Sequence, residues 1–202
     1  MQYFTCPFEI KSQPDDNTGI ITGYGSVFGN IDSYGDVVAK GAFRKSIADV
    51  MNGVTAWPAM LLQHGDQTAQ GKTPIGIWTD MEEDERGLKL TGKLAIKTER
   101  GANAYALLKM KPRPALDGLS IGYRCTDYEM HKAGSPARRT TIKAVDLVEV
   151  SLVTFPANAR ARVTGVKSGY EATKPEYTMR DLALADYKML CRELTKGNRS
   201  GW

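Results

Sequence analysis

The chain has 202 residues, 42% of them hydrophobic and 25% charged, an ordinary composition for one folded domain with a tail, or two very small ones. A net charge of +4 without a dense Lys/Arg cluster argues against a nucleic-acid binder. No apolar run can span a bilayer, and the opening "MQYFTCPFEIK" lacks the pattern of a secretory signal.

In chain order, "ITGYGSVFGNID" (21–32) mixes β-branched, aromatic and glycine residues and predicts a strand running into a turn. "GAFRKSIADVMNG" (41–53) spaces Phe43, Ile47 and Val50 for a helix that stops at Asn52-Gly53. "AMLLQH" (59–64) is a short apolar strand ending on His64. "PIGIWTDM" and "GLKLTGKLAI" alternate apolar and polar residues, and the acidic turn "EEDERG" (82–87) joins them into an antiparallel hairpin. "TERGANAYALLKM" (98–110) predicts a helix with Thr98 as N-cap. "LSIGYRCTDY" (119–128) is a strand with Leu119, Ile121, Tyr123 and Cys125 on one face and Ser120, Gly122 and Arg124 on the other. The loop "HKAGSP" (131–136) turns the chain, "ARRTTIK" (137–143) reads as a solvated hairpin arm, and "AVDLVEVSLVTF" (144–155) is a strand ended by Pro156. The fold class expected is α+β, mainly β, with strands in antiparallel succession and a closed barrel as one solution. From about residue 166, "VKSGYEATKPEYT" reads as a linker. "MRDLALADYKMLCREL" then predicts a terminal helix, with Thr178 and Asp181 at its start and Gly197 as its stop.

Residues that carry chemistry are few. Cys6, Cys125 and Cys191 are scattered, without metal spacing, and fit free thiols in a reducing compartment. The chain has two histidines, His64 and His131. Asp32, Asp36 and Asp66 read as turn and loop residues, since no metal ligand set completes them. "DGLSIGYR" (117–124) contains a G-x-S-x-G pattern, but the nucleophile elbow of an α/β-hydrolase needs a strand–turn–helix around its serine and an acid then a histidine after it. Here a helix precedes Ser120 and a strand continues through it, so the match is accidental. Gly118 and Gly122 are then expected to leave room for a substrate backbone. Glu149 lies among apolar neighbours and needs a partner, because burying a lone carboxylate is costly. His64 and Arg124 are the two candidates.

The blocks "GYGSVFGNIDSYGDVVAKGAF", "MLLQHGDQTAQGKTPIG", "GLSIGYR" and "LVEVSLVTFPANARA" together resemble the prohead proteases of tailed bacteriophages, over residues 18–165 and in the same order. These are capsid-maturation serine proteases similar in fold to the herpesvirus assemblins. The resemblance implies an antiparallel β-barrel flanked by helices. It implies Ser120 as nucleophile, His64 as base and Glu149 as third member of the triad. It places oxyanion donors in "PANARAR" (156–162), with Arg160 or Arg162 contributing. No cofactor or metal is implied.

The function implied is a serine endopeptidase that cleaves scaffold segments of the phage major capsid protein, and itself, inside the procapsid in the host bacterial cytoplasm. Self-association is left open; a membrane or a specific nucleic acid is not expected as partner. Residues 1–165 would be the protease domain and 166–202 a linker and helical tail, with self-cleavage expected between about 165 and 178. The alternative is a catalytically silent scaffold or capsid-assembly module with the same fold.

Overall fold

The computed structural model describes residues 19–65, 71–131 and 140–167. Its elements are β1 (Ile20–Val27), β2 (Asp36–Val38), α1 (Arg44–Met51), β3 (Ala59–Leu62), β4 (Gly76–Glu83), β5 (Gly87–Leu94), α2 (Glu99–Leu108), β6 (Gly118–Met130), β7 (Thr140–Val153) and β8 (Val163–Lys167). Both helices form where the periodicity puts them. Thr98 caps α2 by accepting the Gly101 N–H at 3.2 Å. The chain leaves α1 through Asn52 and Gly53, the latter at φ +69°, a conformation glycine adopts without steric cost. The β4–β5 hairpin closes at Asp84, whose Oδ1 accepts the N–H groups of Arg86 and Gly87 at 2.7 and 3.0 Å, as aspartate does in tight turns.

All eight strands belong to one sheet, in the order β2-β7-β3-β4-β5-β1-β8, with β6 also paired to β7. The expected closed antiparallel barrel is not what these strands form. The sheet is mixed: β2 and β3 both run parallel to β7. Alternation of side chains reports burial and not strand direction. The crossover through α1 makes β3 run parallel to β2; that both lie parallel to β7 is set by pairing distant in sequence. The sheet is also open. Between β6 and the approach to β8, the contact among the described residues is the single bridge Gly118–Arg162, with Leu119 N–H to Ala161 O at 3.0 Å and Val163 N–H to Asp117 O at 2.8 Å beside it. Beyond Gly122, β6 runs on along the first half of β7 as an outer arm whose own residues from Arg124 onward are exposed, while Ile142 and Val145 of β7 stay in the core. Their sequence, "RCTDYEM", offers little to bury. Cys125 is an exposed free thiol on this arm.

Phe43, Ile75, Leu88, Leu119, Val150 and Leu152 are fully buried and form the centre of the core. Each such side chain contributes about 1.5–3 kcal/mol through burial. Two strands were not anticipated. The three-residue β2 is too short to carry a pattern, and β8 runs to Lys167, pairing Ile20 with Lys167 and Ile21 with Val166. The ordered sheet therefore extends two residues into the stretch read as linker. The rest of that linker, the terminal helix, the loop 132–139, Cys6, Cys191 and Asp66 lie outside the described residues. No helix among the described residues is long and apolar enough to cross a membrane.

Candidate active site

β7 organises the site. Its register with β6 pairs Leu119 with Leu152 and Ile121 with Val150 on the core face, and Ser120 with Ser151 and Gly122 with Glu149 on the other. On its opposite edge β7 pairs with β3, Leu61 facing Ser151 and Leu62 facing Leu152. The residue after β3, Gln63, continues this contact through its N–H to Leu152 O at 2.8 Å. His64 follows immediately, so the ladder delivers it beside the row that holds Ser120 and Glu149.

Gln63 and His64 both have positive φ, 54° and 59°, and Gly65 follows at 70°. Two non-glycine residues in succession in the left-handed region cost about 1–2 kcal/mol each, and such strain persists only where neighbouring structure imposes it. The Gln63 side chain supplies part of that restraint. Its Nε2 donates to Thr154 Oγ1 at 2.7 Å and its Oε1 accepts the Thr154 N–H at 3.3 Å. The turn that presents His64 is thereby pinned to the end of β7. Sequence reading missed Gln63; an amide beside a strand-end histidine gives no signal of this kind.

His64 Nδ1 lies 2.6 Å from Glu149 Oε1. The histidine side chain is about half exposed, whereas that of Glu149 is 12% exposed. The second carboxylate oxygen, Oε2, accepts a hydrogen bond from Ser151 Oγ. Glu149 thus finds its partner in His64. Arg124, the other candidate, stands opposite Asp146 in the register. The hydrogen bond that His64 donates to Glu149 and, secondarily, the carboxylate's charge raise the His64 pKa above the ordinary histidine value, against the opposing effect of burial. With Nδ1 engaged by the carboxylate, Nε2 is the ring nitrogen free to exchange a proton with a neighbour.

His64 and Ser120 line the same cavity, of about 360 Å³, together with Ser33, Tyr34, Tyr123 and Phe155. Ser120 is 6% exposed. Phe155 and Tyr34 are 90% and 80% exposed and form an aromatic rim. Burial, helped by Asp36 and Asp32, pushes the Tyr123 phenol up to about 12, so it remains a neutral donor at physiological pH.

The glycines of "DGLSIG" have a different reason from the one expected. A Cβ on Gly122 would stand 2.3 Å from Glu149 Oε1, and one on Gly118 would stand 2.4 Å from Val153 O and 2.9 Å from Pro156 Cδ. Gly122 makes room for the Glu149 side chain, and Gly118 for the end of β7 and Pro156. At both positions the atoms that come close are the protein's own.

The loop after β7 borders the cavity through Ala157 and Asn158. Arg160 and Arg162 are not among the lining residues. Arg162 Nη1 donates to Asp117 Oδ1 at 2.6 Å, and Arg160 gives its backbone N–H to Asn158 Oδ1 at 3.1 Å. Asp32 serves its turn, accepting the N–H groups of Tyr34 and Asp36 at 2.9 Å each. His131 is exposed, with Nε2 2.8 Å from Thr141 Oγ1, away from these groups.

Comparison with known proteins gives three findings. A family described as the caudovirus prohead serine protease matches residues 7–176. The prohead protease of Enterobacteria phage HK97 is 33% identical over 162 residues, which cover 79% of this chain and 65% of that protein. The chain therefore spans somewhat less than two thirds of that relative's length. A crystal structure of KSHV protease in complex with a hexapeptide phosphonate inhibitor is similar with a TM-score of 0.38 and 13% identity, covering 85% of this chain and 76% of that one. With the family match running from before β1 to beyond β8, the chain belongs to the caudovirus prohead serine protease family.

Proposed function

We propose that this protein is a serine endopeptidase of prohead maturation, working through Ser120, His64 and Glu149 and an acyl-enzyme. The observation that carries this reading is the 2.6 Å contact between His64 Nδ1 and Glu149 Oε1, beside a cavity that His64 shares with Ser120. In the first half-reaction His64 Nε2 takes the proton of Ser120 Oγ as the oxygen attacks the scissile carbonyl carbon. The tetrahedral intermediate collapses, His64 gives the proton to the leaving amine, and the acyl-enzyme remains. Water then repeats the attack with His64 again as base, releasing the carboxylic acid and restoring Ser120. Glu149 holds the tautomer with Nδ1–H and stabilises the imidazolium formed in each half.

The oxyanion donors are assigned to the loop 156–162, a term worth about 3–4 kcal/mol per donor in a well-studied protease. Arg160, whose side chain is exposed, is the arginine retained for that role. Arg162 is retained only through its backbone, since Asp117 holds its guanidinium. The substrate proposed is the scaffold segment of the phage major capsid protein, cut inside the procapsid in the host cytoplasm, with self-processing in the C-terminal linker.

The test is co-expression with the cognate capsid protein, and labelling of the purified protein by a fluorophosphonate. Cleaved scaffold and labelled Ser120 are expected. Intact scaffold with an unlabelled, folded protein favours the catalytically silent assembly module instead.

A further inference from the structure

We propose that Ser151 is a positioning residue, holding the Glu149 carboxylate in the orientation that serves His64; the inference rests on the triad reading given above. Ser151 and Glu149 are two residues apart on β7 and so share a face. The Ser151 hydroxyl donates to Glu149 Oε2, while Oε1 faces His64 Nδ1 at 2.6 Å. One carboxylate plane is thus fixed at both oxygens.

Burial makes this arrangement hard to replace. Ser151 is 0% exposed and Glu149 9%. With Ser151 completely buried, bulk water has no direct access to stand in for its hydroxyl, and a buried carboxylate oxygen without a donor is costly. A residue filling this row for packing alone would be apolar, as Leu119, Val150 and Leu152 are on the core face. A fully buried serine needs a reason for its hydroxyl, and Glu149 supplies it. Ser151 is also the register partner of Ser120, a position whose side chains stand close together in an antiparallel pair. Spending its proton on Glu149 keeps Ser151 from offering that proton to Ser120, which must remain free to donate its own to His64.

The test is a double-mutant cycle on the full chain: the native protein, Ser151→Ala, Glu149→Gln and the double variant. Each is read by its rate of fluorophosphonate labelling, by kcat and KM on a peptide substrate, and by thermal melting. Loss of a hydrogen bond to a charged partner predicts a fall of about tenfold to a hundredfold in labelling rate and kcat for Ser151→Ala, with KM nearly unchanged. In the Glu149→Gln background the same substitution is expected to cost about threefold or less, because its effect passes through the carboxylate. Equal factors in both backgrounds would make Ser151 merely structural and overturn the inference while leaving the triad in place. Full activity of Glu149→Gln would overturn the triad reading itself. Should Ser151→Ala melt below the assay temperature, Ser151→Cys carries the test. It keeps the volume and offers only a weak donor, so native labelling by that variant also overturns the inference.

Discussion

Replacing Gly122 by alanine separates the site from the scaffold more cleanly than removing any member of the proposed triad. The φ of Gly122 lies outside the left-handed region, so the strand itself accepts an alanine. Relief of glycine's unfolded-state entropy even favours it by about 0.5–1 kcal/mol. The obstacle is Glu149. The added Cβ would stand 2.3 Å from Oε1, 2.8 Å from Cγ and 2.9 Å from Cδ, where ordinary contact is 3.4–4 Å. The carboxylate has to retreat, and it cannot do so while keeping both His64 Nδ1 and Ser151 Oγ. One hydrogen bond to a charged group is worth about 1.5–3 kcal/mol, which converts to about 10- to 150-fold in rate at roughly 1.4 kcal/mol per decade. Fluorophosphonate labelling should therefore slow by that factor while the melting temperature stays within a few degrees of the native protein. Gly118→Ala is the internal control, because its Cβ meets the backbone oxygen of Val153 at 2.4 Å and should lower stability. A Gly122→Ala protein that labels at the native rate would refute the claim that Glu149 acts from its observed position.

Three further outcomes follow from the same geometry. Ser120→Ala should abolish labelling and proteolysis with an unchanged melting curve, read by peptide hydrolysis and calorimetry; retained processing removes Ser120 from the mechanism. Glu149→Gln should leave residual turnover and move the acid limb of the pH–rate profile to lower pH. The base acts as neutral imidazole, Glu149 raises the His64 pKa, and losing the carboxylate lowers it, so half-maximal activity comes earlier while the plateau falls; an unmoved limb counts against the pair. By the same sign, the stability this pair contributes is fully present below the unfolded histidine value of about 6.5 and is lost as pH rises through the raised folded value. Finally, intact-mass analysis of the active protein and of Ser120→Ala, incubated side by side, should show C-terminal loss in the active form alone. The cut is expected between Lys167, the last residue of β8, and about residue 178. Full length in both, under conditions where capsid substrate is cleaved, rules self-processing out.

What could be read from the sequence divides along physical lines. The two helices, the hairpin and the long strands β6 and β7 announce themselves because burial repeats with the period of the element. The two faces of "LSIG" could be assigned for the same reason, which put Ser120 opposite Leu119 and Ile121; the grouping of Ser120 with His64 and Glu149 came from the family resemblance and not from the period. Sheet closure, strand direction and the pairing of β2 with β7 depend on contacts distant in sequence, and alternation carries no information about them. The role of Gly122 was invisible for another reason. A glycine in a strand says only that something comes close, and whether that is a substrate or a neighbouring side chain is decided across the sheet. Ser151 was placed beside Glu149 by the two-residue period, yet its hydrogen bond needed the rotamers of both.

The register of β6 against β7 is the quantity on which the site depends. A slip of one residue would exchange the two faces and bury Ser120 in the core. Two features prevent it. Leu119 with Leu152, and Ile121 with Val150, lock the buried face of the segment from Gly118 to Gly122, and three of these four side chains are fully buried. The register then shifts between Gly122 and Tyr123, immediately past the Glu149 pair, and again at Cys125–Asp127 and Asp127–Tyr128. Bulges absorb misalignment locally. The exposed half of β6 beyond them is therefore out of regular register with the segment that holds Ser120. The proposed catalytic row sits on the regular side of the first register shift, between a core that fixes its phase and the exposed half of β6.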